Sequence, residues 1–151
     1  DTAAPALRAF EGLDHFDIDP RWRVTGRLLR GSADATIPVP DVLGNVTTAH
    51  TPGVVQFEID GRTHRLDALE AGPDSLALLF GDQTSGRETY GGGRFLETGT
   101  VREDNTVEVD FNLAYNPPCV FSPYATCPMP PPHNRLDVRI EAGEKVWIAP
   151  D

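Results

Sequence analysis

The stretch from residue 54 to residue 69, VVQFEIDGRTHRLDAL, constrains the fold of this chain more than any other. Val55, Phe57 and Ile59 alternate with polar residues, which is the period-two pattern of a strand with one buried face and one wet face. Asp60 and Gly61 follow, and this pair favours the positive φ angles of a two-residue hairpin turn. The sequence therefore predicts an antiparallel hairpin here.

Further segments predict the rest of a sheet. Trp22, Val24, Gly26 and Leu28 share one face of a strand, and the run at 75–80 is apolar on both faces, as in a central strand. The remaining predictions are a second hairpin of residues 94–101 and 106–112, turning near Asp104 and Asn105, a strand at 136–140 and a closing strand at 145–148. Together these make about eight short strands.

A sheet of this size must close or pair to hide its edges, so we predict an all-β fold, an antiparallel barrel or sandwich. Residues 3–12 predict a short N-terminal helix, and residues 38–53 a long loop. At 151 residues the chain is expected to be one domain, 1–151, with a helical or extended lead-in at 1–20 and a β domain at 21–148.

The formal net charge is −10, and Lys145 is the single lysine. This acidic balance argues against a nucleic-acid partner, because phosphate binding needs a basic face. No apolar run approaches the roughly 18 to 20 residues that span a bilayer, so no membrane partner is expected. We expect a cytoplasmic protein, or a secreted one if a signal peptide preceded Asp1.

The segment FGDQTSGRETYGGGRFL, residues 80–96, is the first candidate for a site. A buried strand leads into a turn rich in Asp, Thr, Ser and Gly, and a run of glycines lets the backbone approach a ligand or another strand closely. A binding role would use Asp82, Thr84, Tyr90 and Arg94. The alternative is a structural loop whose polar side chains, Asp82, Thr84 and Thr89, bond one another.

The second candidate is DFNLAYNPPCVFSPYATCPMPPPHN, residues 110–134. A strand face is predicted to carry Val107, Val109, Phe111 and Leu113, and its opposite face would carry polar residues. Candidate ligand contacts in this segment are Asp110, Asn112, Tyr115 and Asn116. Paired prolines then fix an extended exit from the strand.

Cys119 and Cys127 leave three interpretations open. A disulfide closing this loop would stabilise the fold by roughly 2 to 3 kcal/mol on the chain-entropy model. Two reduced thiols are the ordinary state in a reducing cytosol. A Cys/Cys/His metal site with His133 would have irregular spacing, so we expect neither a metal nor another cofactor.

These blocks, together with FEGLDHFDIDPRWRV and IEAGEK, resemble the signature blocks of an uncharacterised bacterial and archaeal family, domain of unknown function 1684. The resemblance runs from about residue 10 to residue 146 and brings no established activity. It implies that the polar residues of 82–94 and of 110–134 belong to two family motifs. Family members usually carry a charged helical segment before the first block, and its near absence here favours a cytoplasmic protein.

From these features we predict a small-ligand-binding protein whose polar pocket is formed by segments 80–96 and 110–134. Arg94 would anchor an anionic group of the ligand through its planar guanidinium. One alternative is a hydrolase or isomerase with Asp110 or Asp82 as general base and Tyr115 or His133 as acid. Another is a structural or partner-binding module without a ligand.

Overall fold

The computed structural model describes residues 15–117 and 127–146. Nearly all regular structure in these ranges is strand, together with two short 3₁₀ helices, Pro20–Trp22 and Phe111–Leu113. The strands are β1 (Arg23–Arg30), β2 (Thr36–Pro40), β3 (Val46–His50), β4 (Gly53–Ile59), β5 (Arg62–Glu70), β6 (Leu76–Phe80), β7 (Arg94–Glu97) and β8 (Thr106–Asp110).

Six of the strands form one antiparallel sheet in the order β7-β6-β5-β4-β1-β8, and β2 and β3 form a small sheet of their own. The large sheet is curved into a half-barrel. Its two edges approach each other, since the amide of Gly99, after β7, donates to the carbonyl of Glu108 in β8 over 3.3 Å. The predicted all-β antiparallel fold is therefore confirmed.

The concave face of the half-barrel holds the core. Phe57, Phe80 and Phe111 meet there, with ring centroids 5.4 to 5.5 Å apart between Phe111 and each of the other two. Gly26 faces the side chains of Val55 and Val109, and a Cβ atom added to it would be 3.0 Å from Val55 Cγ1. The glycine in β1 is thus explained by the close packing of β4 against it.

The hairpin at Asp60 and Gly61 is confirmed. Both residues have positive φ, 52° and 79°, as a two-residue turn requires. Ile59 pairs with Arg62, and the register continues along β4 and β5 to the pair of Gly53 with Ala68.

The second predicted hairpin is confirmed in its turn and in two backbone hydrogen bonds between its arms, but its two strands do not pair with each other along their length. β7 pairs with β6, and β8 pairs with β1, so the two strands lie at opposite edges of the sheet. The turn itself is present, with Asn105 at a φ of 68° and the amide of Arg102 bonded to the carbonyl of Thr106. A local turn signal shows where the chain reverses, but long-range packing decides which strand becomes its partner.

Residues 38–53 are not a simple loop, because they contain most of β2 and all of β3. The carboxylate of Asp41 closes the turn between these strands by accepting from the amides of Leu43 and Asn45. Pro38 and Pro40 lie within β2, which belongs to a two-stranded sheet where few backbone donors are needed. The proline content and the lack of clean alternation concealed the pair in the sequence.

The end of the chain also differs from the prediction. Residues 136–140 form no strand, and the described part of 145–148, Lys145 and Val146, forms none either. β8 stops at Asp110, and the chain continues as a 3₁₀ helix in which Leu113 is 63% exposed instead of sharing the buried strand face. The predicted helix at 3–12 lies outside the described residues.

His64 generates a prediction about pH. Its ring stacks on Phe57, its Nε2 has no hydrogen-bond partner in the described structure, and burial, followed by the charge of Arg62, lowers its pKa from 6.5. The folded state therefore binds a proton less readily than the unfolded state, and stability present above about pH 6.5 is lost as the pH falls. We expect the urea midpoint of His64→Leu to change less than that of the parent chain between about pH 7.5 and about pH 5.5. Parallel curves for the two proteins would contradict this.

Gly93 and Gly44 form a matched pair for a test of packing. Both have positive φ, 91° and 88°, but a Cβ atom on Gly93 would lie 2.7 Å from both the Phe80 carbonyl and Pro130 Cγ, whereas one on Gly44 would meet nothing within 4 Å. We expect Gly44→Ala to lower the free energy of unfolding by about 1 to 2 kcal/mol through backbone strain alone. Gly93→Ala should lose a further 1 to 3 kcal/mol or so through overpacking. Urea denaturation measures both, and equal losses would refute the packing argument.

Candidate functional site

Both predicted segments begin at the same end of the half-barrel. Phe80 pairs with Arg94 where β6 ends and β7 begins, and β8 ends at Asp110 opposite Arg23. The segments then meet, because Phe95 and Tyr115 exchange two backbone hydrogen bonds of 2.9 Å and pack their rings edge to face. Residues 118–126, including Cys119, lie outside the described part of this region.

Arg94 is buried at this end, with 1% of its surface exposed. One terminal nitrogen donates to the carbonyl of Ala142 and, at 3.3 Å, to that of Glu144. The other donates to the carbonyl of Ile140 at 3.0 Å and faces the carboxylate of Asp82 at 3.5 Å. Burial lowers the pKa of Arg94, and the nearby carboxylates of Asp82 and Glu144 act against this effect without cancelling it. A guanidinium remains protonated in proteins, so Arg94 is a buried charge whose donors are committed to groups of the protein.

Asp82 completes a closed network around this guanidinium. Its Oδ2 also accepts from the amide of Ile140 at 2.6 Å, and its Oδ1 accepts from the hydroxyls of Thr84 and Ser85. Thr84 in turn bonds the hydroxyl of Thr89 at 2.8 Å. The threonines are buried and their hydroxyls bond neighbouring side chains, which agrees with the structural alternative for this loop.

The network holds the segment from Ile140 to Val146, which has no strand neighbour among the described residues. Arg94 binds three carbonyls of this segment. Asn116 also binds the segment: its backbone amide donates to Glu144 Oε1, and its side-chain Nδ2 donates to the carbonyl of Lys145. We call residues 140–146 the C-terminal strap. These side chains act together with backbone hydrogen bonds, because the carbonyl of Gly143 accepts from the amide of Phe16, and the amides of Glu144 and Val146 donate to the carbonyls of Ala114 and Glu88.

Asn134 performs a similar role between β5 and β6. From the pair of Leu69 and Ala77 toward the start of β5, these strands separate, and the Asn134 side chain lies in the gap. Its Oδ1 accepts from the amide of Asp67, and its Nδ2 donates to the carbonyls of Asp67 and Leu79, over 2.7 to 2.9 Å. The resemblance placed Asn134 in the second family motif, but it was not among the predicted ligand contacts, although an asparagine after a proline run can supply a donor and an acceptor together.

Asp110 and Asn112 belong to a different set of contacts. Asp110 Oδ1 accepts from the amide and from Nδ2 of Asn112. Asn112 binds both backbone groups of Asp19, accepting from its amide at 3.1 Å and donating to its carbonyl at 3.0 Å. No contact in the described structure joins Asp110 to Asp82, so the two proposed general bases do not form a carboxylate pair.

Three of the predicted site residues are not members of the closed network around Arg94: Tyr90, Tyr115 and Asn116. Tyr115 is half-buried and donates to Glu97 at 3.0 Å, and burial, followed by that hydrogen bond, raises its pKa. Tyr90 is half-buried against Gly92, where a Cβ atom would meet its ring at 2.5 Å. Asn116 is buried, and its Oδ1 has no hydrogen-bond partner in the described structure. His133, the other proposed acid, is 91% exposed and 3.8 Å from Asp67.

An open groove of about 530 Å³ lies at this end of the half-barrel, lined by Phe16, Asp17, Ile18, Asp19, Pro20, Arg21, Trp22 and Glu141. We call it the Trp22 groove. Arg21 lies over the indole of Trp22, 4.6 Å from its centroid. Asn112 fixes one wall through Asp19, and Arg94 fixes the other, because it binds the carbonyls on both sides of Glu141.

The described residues contain no group of three or more His, Cys, Asp or Glu side chains arranged for a metal ion. Cys127 is buried, and its predicted disulfide partner Cys119 is outside the described residues, so the disulfide stays a prediction. In the same ranges no helix is long and apolar enough to cross a membrane.

Comparison with known proteins assigns the family. Residues 8–145 match the model described as Protein of unknown function (DUF1684). The chain belongs to the DUF1684 family. A search of curated proteins gave no match.

A similar fold has been observed in solution. The structure of an uncharacterized protein from Haloarcula marismortui, locus rrnAC0354, is 30% identical and superposes with a TM-score of 0.72. The match covers 94% of this chain and 80% of the archaeal protein. Neither comparison names a ligand or a reaction.

Arg94 gives the sharpest test of the network. We expect Arg94→Met to lower the free energy of unfolding by about 3 to 5 kcal/mol, because it leaves the Asp82 carboxylate buried without its counter-charge. Arg94→Lys should recover only part of the loss, since an ammonium cannot reach the same set of acceptors in one plane.

Arg87→Met is the control, because Arg87 is an exposed residue of the same loop. Urea denaturation measures all three variants. An Arg94→Met variant as stable as Arg87→Met would show that the buried guanidinium contributes no net stability. A double-mutant cycle with Asp82→Asn then measures the coupling between the two side chains.

Proposed function

We propose that this DUF1684 protein binds a small ligand in the Trp22 groove. The observation that supports this most is the groove itself, whose volume of about 530 Å³ lies in the range of small-molecule sites. It combines an aromatic floor, the 84%-exposed side chain of Ile18 and polar groups on rigidly held walls.

In this proposal the predicted site residues divide into two sets. The first set supports the groove walls, because its polar atoms bond other parts of the protein: Asp82, Thr84, Arg94, Asp110 and Asn112. Tyr90, Tyr115 and Asn116 lie outside that closed network, and Asn116 touches the C-terminal strap next to the groove wall. A ligand held by this end of the molecule would therefore depend on the support indirectly, through the position of the walls.

The expectation of an anionic ligand rested on Arg94 and now lacks support. The donors of Arg94 go to carbonyls and to Asp82. The groove is lined by the carboxylates of Asp17, Asp19 and Glu141, and three cations lie beside them: Arg21, 3.7 Å from Asp19, Arg139, 3.2 Å from Glu141, and Lys145, 4.8 Å from the ring centroid of Phe16. Because these charges balance, we propose a neutral ligand. The hydrolase or isomerase alternative gains no support either, because Asp82 is enclosed and Asp110 is occupied by Asn112.

Native mass spectrometry of gently purified, unreduced protein tests the proposal. We expect an added mass that disappears on denaturation, and we expect Ile18→Arg to abolish it by filling the groove with a cationic side chain. Leu113→Arg is the matched control, because it makes the same change at an exposed position outside the groove lining.

A bare native mass for the parent chain, or an added mass that survives in Ile18→Arg, would overturn the proposed site. The denatured spectrum also tests the disulfide: Cys119 and Cys127 are joined if the mass is two hydrogen atoms below that of the reduced chain.

A further inference from the structure

The opposite end of the half-barrel contains a second cleft. There β1 ends at Arg30, β5 ends at Glu70 and β6 begins at Leu76, with Arg30 beside Gly53 and Glu70 beside Leu76 in the register. The small sheet reaches this end through His50, the last residue of β3. The mouth of a barrel is a common place for a ligand, because strand ends and loops converge there.

The cleft has an inner and an outer part. The inner cavity, about 90 Å³, is lined by Leu28, Leu76, Val101 and the loop 72–75. The outer cavity, about 360 Å³, is lined by residues 30–33, His50, Pro52 and Glu70. Arg30, Pro52 and Glu70 line both cavities, so the two adjoin, and we call them together the mouth cleft.

Opposite charges face the mouth cleft. Arg30 is oriented by a 2.8 Å hydrogen bond from its Nε to Asn105 Oδ1, and its two terminal nitrogens have no protein partner in the described structure. The carboxylate of Glu70 is 3.5 Å from Nδ1 of His50. Nε2 of His50 lies 2.9 Å from the carbonyl of Ala33 and therefore carries a hydrogen, which fixes the orientation of the ring. Asp74 adds a second carboxylate beside the inner part.

We propose that the mouth cleft binds a small zwitterion with a short aliphatic group, the chemistry of an aliphatic α-amino acid. The free edge of the Arg30 guanidinium takes the carboxylate, and Glu70 takes the ammonium group. The aliphatic group occupies the inner cavity against Leu28, Leu76 and Val101. A plain anion would be repelled by Glu70 and Asp74, and a plain cation by Arg30. This site is separate from the Trp22 groove and does not depend on the function proposed for it.

The test is a titration of the ¹⁵N-labelled full chain followed by NMR. L-valine is the probe, and its partial analogues are 3-methylbutanoate, which lacks the ammonium group, isobutylamine, which lacks the carboxylate, and glycine, which lacks the aliphatic group. We expect saturable shifts of the amide signals of Gly31, Ser32, Ala33 and Gly72 with valine. Each analogue should bind about tenfold more weakly or worse, since about 1.4 kcal/mol of lost interaction corresponds to a factor of ten.

Variants locate the binding. Arg30→Gln and Glu70→Gln should each weaken valine binding about tenfold or more, and both residues are exposed, so the fold is expected to survive. Glu103→Gln, an exposed change in the turn before β8, is the control and should leave binding unchanged. Ile18→Arg should also leave it unchanged, which separates this site from the Trp22 groove.

Three results would overturn the inference. The first is that valine shifts none of these signals. The second is that 3-methylbutanoate or isobutylamine binds as tightly as valine, which would exclude recognition of a zwitterion. The third is equal binding by Arg30→Gln, Glu70→Gln and the control, which would place valine elsewhere.

Discussion

The buried guanidinium of Arg94 is the constraint on which this end of the molecule depends. A guanidinium has five N–H donors and cannot be neutralised by losing its proton, so burial requires a dense set of acceptors. Ile140, Ala142 and Glu144 provide carbonyl oxygens, and Asp82 provides the counter-charge. The C-terminal strap is held in place because its carbonyl groups accept hydrogen bonds from Arg94. Removal of any one member leaves a buried charge or a buried carbonyl without a partner.

The same principle operates between β5 and β6. The sheet opens there, and the backbone groups of Asp67 and Leu79 would be left unpaired without the side chain of Asn134. At both places a polar side chain adds hydrogen bonds beside a few backbone pairings, such as those of Leu136 with Gly81 and of Glu144 with Ala114. The chain after β8 can therefore cover the end of the half-barrel without forming strands of its own, which explains why residues 136–140 are buried in part but are not a strand.

The structure gives the polar residues of the two family motifs a different role from the predicted one. Side chains of exposed type suggested a ligand pocket, but most of them bind backbone groups and leave little hydrogen-bonding capacity for a ligand. Their contribution to function is the placement of surfaces beside them. Asn112 fixes Asp19, and Arg94 fixes the backbone on both sides of Glu141, so the two walls of the Trp22 groove are set from behind. At the other end the mouth cleft depends on different residues, among them Arg30 and Glu70.

The sequence predicted those parts of the fold whose cause is local. The alternation of Val55, Phe57 and Ile59 and the positive φ angles of Asp60 and Gly61 are properties of neighbouring residues, and the hairpin forms as expected. The predicted turn between β7 and β8 is present, but the two strands pair with β6 and β1, because the choice of strand partner depends on packing across the whole sheet. The β2–β3 pair was missed because a single side chain, Asp41, closes its turn and the strands lack a strong apolar pattern.

For the candidate site, too, some features followed from the sequence and others only from the tertiary structure. The sequence by itself determined that the chain is an antiparallel β protein, that it carries the DUF1684 motifs, and that segments 80–96 and 110–134 hold most of its unusual polar chemistry. Only the tertiary structure decided that Arg94 points inward to carbonyls almost fifty residues away, whereas the sequence had suggested a ligand anchor. The physical reason is that a residue type specifies which hydrogen bonds it can make. Only the folded chain determines whether a protein group or a ligand is there to make them.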